Sequence, residues 1–125
     1  MRKKIQQPEA AIQKVILHYL ALRKIPAWRM NSGAYKSITG TFIRYGNKGM
    51  ADIIAILPPD GRWLAIEVKS EKGYLTEAQR DFALTIEKAG GISMVARSVE
   101  DVCKYIVNRQ SPLIKKGLLK YPATP

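Results

Sequence analysis

Three charged side chains interrupt an otherwise apolar part of the chain. They are Asp52, Glu67 and Lys69. Charged residues rarely interrupt a core strand unless they are paired, bind a metal or take part in chemistry. These three residues are therefore the first candidates for a functional site, provided that the fold brings them together.

The two apolar runs that carry these charges are predicted to be strands. Residues 51–57 and 62–69 are short, rich in Ile, Val, Leu and Trp, and bounded by turn residues. Residues 58–61, Pro-Pro-Asp-Gly, suit a tight reversal between them, because Pro stands second and Gly fourth, as in a type I turn. The pattern therefore predicts a β-hairpin.

The register of this hairpin decides whether the charged side chains meet. Centring the turn on residues 59 and 60 places Asp52 opposite Glu67, and opposed residues have Cβ atoms roughly 4.5–5.5 Å apart. Lys69 lies two residues beyond Glu67, so the alternation of side chains puts it on the same face. Unless a one-residue bulge shifts the register, two carboxylates and one ammonium converge at one end of the hairpin.

A divalent cation would relieve the repulsion between the two opposed carboxylates. Carboxylate oxygens on one side, with water and phosphate on the other, suit Mg²⁺ or Mn²⁺. Lys69 would add positive charge there, orient or deprotonate an attacking water, and stabilise charge that develops on a phosphate. The alternative is a solvent-exposed salt bridge, either Glu67–Lys69 or Asp52–Lys48.

Length and charge limit the class of protein. A chain of 125 residues suggests one domain, residues 1–125, with a core that needs no disulfides. The single Cys103, with no signal peptide and no long apolar span, favours a soluble, reducing compartment. The excess of 21 Lys and Arg over 10 Asp and Glu gives a net charge of +11, which points to nucleic acid ahead of membrane. A basic protein without such a partner is the alternative.

The chain before the hairpin is expected to supply a helix and a basic surface. Pro8 suits the first turn of a helix that runs to Arg23, and Glu9 near its start complements the helix dipole. The apolar stripe of this helix is predicted to be Ile12, Val15, Ile16, Tyr19 and Leu20. The lone His18 is placed on its surface. The first seven residues are predicted to be a flexible basic arm.

Residues 27–31 and 41–45 are predicted to be short strands. Residues 33–49 are punctuated by glycine and are basic, so their cations are candidates for contact with phosphates. An ordinary solvated loop is the alternative. Together with one cation of the loop after the hairpin, the candidates for DNA contact are Lys36, Arg44, Lys48 and Lys72.

The chain after the hairpin completes an α/β pattern. Thr76 and Gln79 have the spacing of a capping box at the start of a second helix, which Gly90 and Gly91 end. Residues 92–96 form the next strand, giving a βαβ unit. A last helix runs from residue 98 to about residue 107, and its inward-facing residues are predicted to be Val102, Cys103, Ile106 and Val107. We expect a mixed central sheet with helices on both sides. The basic tail, residues 110–125, is expected to be flexible, to touch DNA or to pack on a partner subunit.

The motif Asp52 followed by Glu67-Val68-Lys69 resembles that of the PD-(D/E)XK nuclease superfamily. A longer string resembles one branch of it, the VRR-NUC (virus-type replication-repair nuclease) domain. Ala51 departs from the pattern, because Pro often precedes the Asp there. The residues that carry the longer match are Asn31 to Gly33, Gly46 to Ile54, Leu57 to Arg62, Ala65 to Lys69, Gly73, Leu75, Thr76, Gln79, Gly90 and Gly91.

The resemblance implies a restriction-endonuclease-like core and a role for each matched side chain. Asp52, Glu67 and the backbone carbonyl of Val68 would hold Mg²⁺ or Mn²⁺, and Lys69 would assist the attacking water. Glu9 and Gln79 would help to organise water at the metal. Gln79 also has a complete structural explanation as a helix cap, and one residue can serve both purposes.

The resemblance also implies a reaction and partners. The implied reaction is metal-dependent hydrolysis of DNA phosphodiesters. The implied substrate is branched DNA, such as a four-way (Holliday) junction, and the implied assembly is a homodimer, as in stand-alone proteins of phage or viral type. The expected location is the cytoplasm of a phage-infected or bacterial cell. Two alternatives stay open: a nucleic-acid-binding module of the same fold without chemistry, and a restriction-type endonuclease that reads sequence.

Overall fold

The protein has three helices and six strands in the part of the chain that its structure, a computed structural model, describes: residues 8–30, 33–45 and 48–115. The basic arm lies outside these residues, as do positions 116–125. In chain order the elements are α1 (Glu9–Leu22), β1 (Ala27–Arg29), β2 (Gly33–Lys36), β3 (Phe42–Tyr45), β4 (Ile53–Leu57), β5 (Arg62–Val68), α2 (Glu77–Lys88), β6 (Ile92–Ala96) and α3 (Val99–Lys115).

Four strands form the central sheet in the order β1-β4-β5-β6. The β4–β5 hairpin is antiparallel, with Leu57 opposite Arg62 and Ile54 opposite Ala65, which is the register that a turn centred on residues 59 and 60 predicts. The turn is closed by the Gly61 N–H, which donates to the Leu57 carbonyl at 2.9 Å, so it is one residue wider than the predicted type I turn. Strands β5 and β6 are parallel, which makes the sheet mixed as expected.

Helices cover both faces of this sheet. Helices α1 and α3 pack on one face, and their buried side chains Ile16, Leu20 and Ile106 join the main core. Alternation along β5 sends Leu64, Ile66 and Val68 into that core and turns Ala65 and Glu67 to the other face. Helix α2 lies on that second face, where Phe82 and Ile86 pack against a smaller cluster that holds Ala65. The site therefore lies on the α2 side of the sheet.

The structure corrects three predictions about the helices. The last helix does not end near Val107 but continues to Lys115, through Pro112, so the first residues of the predicted tail are helical. Proline removes one backbone hydrogen bond, which disfavours a helix without always ending it. Val15 and Val107 were predicted to face inward, and both are about half exposed because the packing stripes run through their neighbours Ile12, Ile16, Val102 and Ile106.

Strands β2 and β3 form a separate two-stranded antiparallel sheet. The strand predicted at residues 41–45 is confirmed as β3, whereas its partner β2 was not predicted. Phe42 and Ile38 of this hairpin are highly exposed. None of the helices in the described part of the chain is long and apolar enough to cross a membrane.

Candidate active site

The central hairpin brings Asp52 beside the end of β5. The last pair of the ladder is Ile53 with Ile66, so the next position along each chain sets Asp52 against Glu67. Asp52 Oδ2 accepts a hydrogen bond from the backbone N–H of Val68 at 2.8 Å. This bond takes the place of the next rung of the ladder and fixes the Asp52 carboxylate at the open end of the hairpin.

Glu67 is buried, and only one of its two carboxyl oxygens has a hydrogen-bond partner among the described residues. The residue is 8% exposed. Its Oε1 accepts a hydrogen bond from Gln79 Nε2 at 2.9 Å, whereas its buried Oε2 has no hydrogen-bond partner among the described residues. A buried acceptor without a partner is costly and calls for an explanation, such as a proton or a cation at that position.

The surroundings of Glu67 disfavour its charged form. Burial is the largest cause, and the negative charge of Asp52 is the next, so that the pKa of Glu67 rises to about 8. The Lys69 ammonium acts in the opposite direction, and the negative charge of Glu9 makes the smallest contribution to the rise. The neutral form of Glu67 is therefore favoured until a positive charge compensates its carboxylate.

Lys69 lies on the same face as Glu67, as the alternation along the strand predicts. The distance from Lys69 Nζ to Glu67 Oε1 is 3.9 Å, and the two side chains are only 12% and 11% exposed. The alternative of a Glu67–Lys69 salt bridge in solvent does not fit this burial. The pair is shielded from water, and an ionised Glu67 would interact with the Lys69 ammonium more strongly there than on the surface.

Gln79 serves as a helix cap and as a site residue at once. Its backbone N–H donates to Thr76 Oγ1 at 3.2 Å, and its Oε1 accepts from the Thr76 N–H at 2.9 Å, which completes the predicted capping box of α2. Because the Thr76 N–H can only donate, the amide oxygen of Gln79 must face it, and the NH₂ group is left to face Glu67. The helix cap thus sets which end of the amide points into the site.

Glu9 reaches the site from the other side of the sheet. It is the first residue of α1, and its Oε1 accepts a hydrogen bond from the backbone N–H of Ser70 at 3.2 Å. Ser70 follows Lys69 directly, so the carboxylate of α1 lies beside the point where the chain leaves β5. The structure therefore brings Glu9, Asp52, Glu67, Lys69 and Gln79 to one end of the hairpin.

Gly49 lets the chain approach α2 closely before it reaches Asp52. Its φ is +82°, and a Cβ at this position would lie 2.3 Å from the Ala78 carbonyl oxygen. Only glycine combines this backbone conformation with so close a contact. The Gly49 backbone therefore packs against the start of α2, which carries Gln79, and links the two sides of the site.

The donor set fits one hard cation. In the residues that the structure describes, no group of three or more His, Cys, Asp and Glu side chains is placed to hold a metal ion. Asp52 and Glu67 supply carboxylate oxygens, and the unpartnered Glu67 Oε2 is available. Two carboxylates with further oxygens from backbone, water or phosphate are the coordination that Mg²⁺ accepts.

Three of the four predicted DNA contacts are exposed cations: Lys36, Lys48 and Lys72. The side chain of Arg44 lies outside the described side chains. A residue that the sequence did not point to is Arg97, which directly follows β6 and bonds the turn after Lys69. Parallel strands end at the same edge of a sheet, so the position of Arg97 directly after β6 was enough to predict that it lies near Lys69.

The comparison with protein families agrees with this geometry. The family model of the VRR-NUC domain matches residues 7–100, most of the chain. No curated protein and no solved structure gave a significant match. The matched region includes all five side chains of the site, from Glu9 to Gln79. The chain belongs to the VRR-NUC family, and such a domain implies a nuclease of the PD-(D/E)XK type.

Proposed function

We propose that this protein is an endonuclease that hydrolyses DNA phosphodiesters with Mg²⁺ or Mn²⁺. The observation that carries the proposal is the pairing of Asp52 with a buried Glu67 whose Oε2 has no protein partner among the described residues. A divalent cation would bind both carboxylates and compensate the charge that burial and Asp52 disfavour.

Each residue of the site has a defined task in this proposal. Asp52, Glu67 and the Val68 carbonyl would hold the cation. In an antiparallel ladder the N–H and C=O of one residue point to the same side. Because the Val68 N–H points to Asp52, the Val68 carbonyl points to that side as well. When bound, the cation polarises the phosphate and makes water a better nucleophile.

Of the remaining three side chains, Lys69 and Glu9 would act on water or on the phosphate, and Gln79 would support Glu67. The Lys69 ammonium, 3.9 Å from Glu67 Oε1, would orient the attacking water and donate to a phosphate oxygen as negative charge develops there. Gln79 holds Glu67 in place through its NH₂ group. Glu9 would accept a hydrogen bond from water on the Ser70 side of the site.

Charge supports DNA as the substrate. Every charged residue after Glu9 and before Asp52 is basic, so residues 10–51, which include the β2–β3 hairpin, have no carboxylate to repel phosphates. Lys36 and Lys48 of this segment are exposed. We infer that it forms the main DNA-holding surface and that Lys72 extends it beyond Lys69.

The resemblance to stand-alone members of the family favours branched DNA and a homodimer. A two-fold dimer would repeat the site on a second subunit, so that two nicks could be made symmetrically in a four-way junction. The alternatives are a module that binds nucleic acid without chemistry and a restriction-type enzyme that reads sequence. The intact set of Asp52, Glu67 and Lys69 favours chemistry over binding alone.

A substrate panel tests the proposal. Labelled four-way junction, flap and linear duplex are incubated with the protein in Mg²⁺, in Mn²⁺ or in EDTA, and its oligomeric mass is measured alongside. We expect metal-dependent cleavage with the junction preferred, and a dimer. Binding without cleavage in every metal would favour the binding module, and cleavage of one duplex sequence only would favour the restriction-type enzyme.

A further inference from the structure

The turn that follows Lys69 is held by an arginine from the neighbouring strand. Arg97 Nη1 donates to the carbonyl oxygens of Ser70 at 2.6 Å and of Gly73 at 2.8 Å. The Glu71 carbonyl lies farther away, at 3.4 Å from the same nitrogen. Hydrogen bonds from a charged donor are stronger than neutral ones, and a guanidinium presents several N–H donors in one plane.

This turn, residues 70 to 73, is closed by its own hydrogen bond and is bonded at both ends by the Arg97 guanidinium. The Gly73 N–H donates to the Ser70 carbonyl at 3.1 Å, so residues 70 to 73 form one tight reversal. The Ser70 oxygen accepts from both the Gly73 N–H and Arg97, and the Gly73 oxygen accepts from Arg97 as well. Arg97 thus fixes both ends of the turn at once.

The same turn contacts two residues of the site. Its first N–H, that of Ser70, is the donor to Glu9 Oε1. At its other end, Gly73 lies against the stem of Lys69, since a Cβ at position 73 would be 3.3 Å from Lys69 Cδ. A displacement of the turn would therefore move the Ser70 N–H that bonds Glu9 and remove the contact of Gly73 with the aliphatic part of Lys69.

Arg97 is itself held in place by the fold. Its backbone N–H donates to Asp101 Oδ2, in the first turn of α3, at 2.9 Å. The parallel register sets Val68 beside Ala96, and the Lys69 N–H continues the ladder to the Ala96 carbonyl at 3.0 Å. Arg97 therefore leaves the sheet next to Lys69, at the same edge.

We propose that Arg97 is a positioning residue for the nuclease site. By clamping residues 70 to 73, it keeps the Lys69 ammonium and the Glu9 carboxylate aligned for the attack on the phosphate. The inference rests on the proposed function and adds a residue outside the motif of carboxylates and lysine. Misalignment of a reacting group by about 1 Å can lower a rate up to a hundredfold.

Arg109 provides a matched control. It also bonds a turn, through Nη2 to Asp60 Oδ1 at 2.6 Å, but at the opposite end of the central hairpin from the site. Arg97→Gln and Arg109→Gln each remove one positive charge, so both should weaken the general attraction to DNA to a similar extent. Arg97→Lys keeps one nitrogen with several donors, and we expect it to retain part of the clamp.

The first test compares cleavage rates at saturating DNA, well below the melting temperature of each variant. We expect kcat of Arg97→Gln to be about tenfold to a hundredfold below that of Arg109→Gln, with equal KM values and partial recovery in Arg97→Lys. Equal kcat values for Arg97→Gln and Arg109→Gln, or a change confined to KM, would overturn the inference.

The second test does not depend on activity. Amide hydrogen exchange at Ser70 should become faster in Arg97→Gln and stay unchanged in Arg109→Gln, while exchange at Val68, which Asp52 protects, stays the same in both. Unchanged exchange at Ser70 would overturn the clamp. If the natural protein does not cleave DNA at all, the proposed function fails, and the exchange at Ser70 still decides whether Arg97 holds the turn.

Discussion

At the scale of single residues, the site is a carboxylate pair whose charge the fold disfavours. The hairpin register was enough to predict that Asp52 faces Glu67 and that Lys69 shares their face. The burial of Glu67 could not be predicted in this way, because it depends on Gln79 and α2, which pack over the strand from elsewhere in the chain. The unpartnered Oε2 likewise emerges only from the folded protein.

The raised pKa of Glu67 predicts how metal binding depends on pH. The ordinary pKa of Glu is about 4.3, and that of Glu67 in the folded protein is about 8. Between these values the folded state binds more protons than the unfolded chain, so the metal-free protein loses stability as pH rises through this range. A cation must displace the proton, so its affinity should rise up to about tenfold per pH unit until about pH 8 and then level off.

Calorimetric titration with Mn²⁺ at several pH values measures this dependence, and buffers of different ionisation enthalpy report the released proton. Glu67→Gln should bind weakly, without the pH dependence. An affinity that stays constant from about pH 6 to about pH 9 would mean that Glu67 is not a ligand.

The two tasks of Gln79 can be separated by substitution. Thr76→Ala removes the capping interaction and should lower the free energy of unfolding by about 1 kcal/mol, with little effect on cleavage. Gln79→Glu keeps an oxygen for the Thr76 N–H but replaces the donor to Glu67 with a second carboxylate. We expect it to retain stability better than Thr76→Ala and to lose cleavage. Equal activity of the two variants would leave Gln79 as a cap alone.

At the scale of elements, the central hairpin, β6 and the capped start of α2 follow from local patterns, and the structure confirms them. The extension of α3 through Pro112 and the strand β2 do not follow from such patterns. The segment Gly33–Lys36 has too few residues and too weak an alternation to signal a strand, and it is paired only because β3 returns beside it.

Gly49 sets the distance between the Asp52 segment and α2, so a side chain at this position should change both stability and cleavage. Gly49→Ala would combine a φ of +82° with a Cβ 2.3 Å from the Ala78 oxygen, so α2 must shift. We expect a loss of about 2–4 kcal/mol in the free energy of unfolding and a loss of cleavage.

Gly61→Ala is the matched control for this prediction. Its φ is also positive, +75°, but its Cβ would meet open space. It should cost only the backbone strain, about 1 kcal/mol, and leave cleavage unchanged. Urea unfolding and cleavage assays measure both quantities, and equal losses in the two variants would show that the contact with α2 is unimportant.

At the scale of the whole molecule, the net charge of +11 favours the binding of a polyanion. The sequence alone was enough to predict an α/β protein with an excess of basic residues. The exposure of Lys36, Lys48 and Lys72 is seen only in the folded protein. The absence of acidic residues between Glu9 and Asp52 concentrates this charge in one segment.

This charge predicts steep salt dependence of DNA binding. If about six phosphates are neutralised, the affinity should fall roughly a thousandfold between about 50 mM and about 200 mM salt. Fluorescence anisotropy with labelled DNA in EDTA measures this without cleavage. Replacing Lys36 by Gln should make the slope shallower by about one, whereas a flat response to salt would remove electrostatics as the basis of binding.

We propose that Asp52, Glu67 and Lys69 together form a metal-dependent hydrolytic site. The most direct measurement is single-turnover cleavage of labelled DNA by the natural protein and by Glu67→Gln and Lys69→Ala, in Mn²⁺ and in EDTA. We expect cleavage by the natural protein in Mn²⁺ only, with rates at least about a hundredfold lower in both variants although they still bind DNA. Cleavage that persists in EDTA or in Lys69→Ala would contradict it.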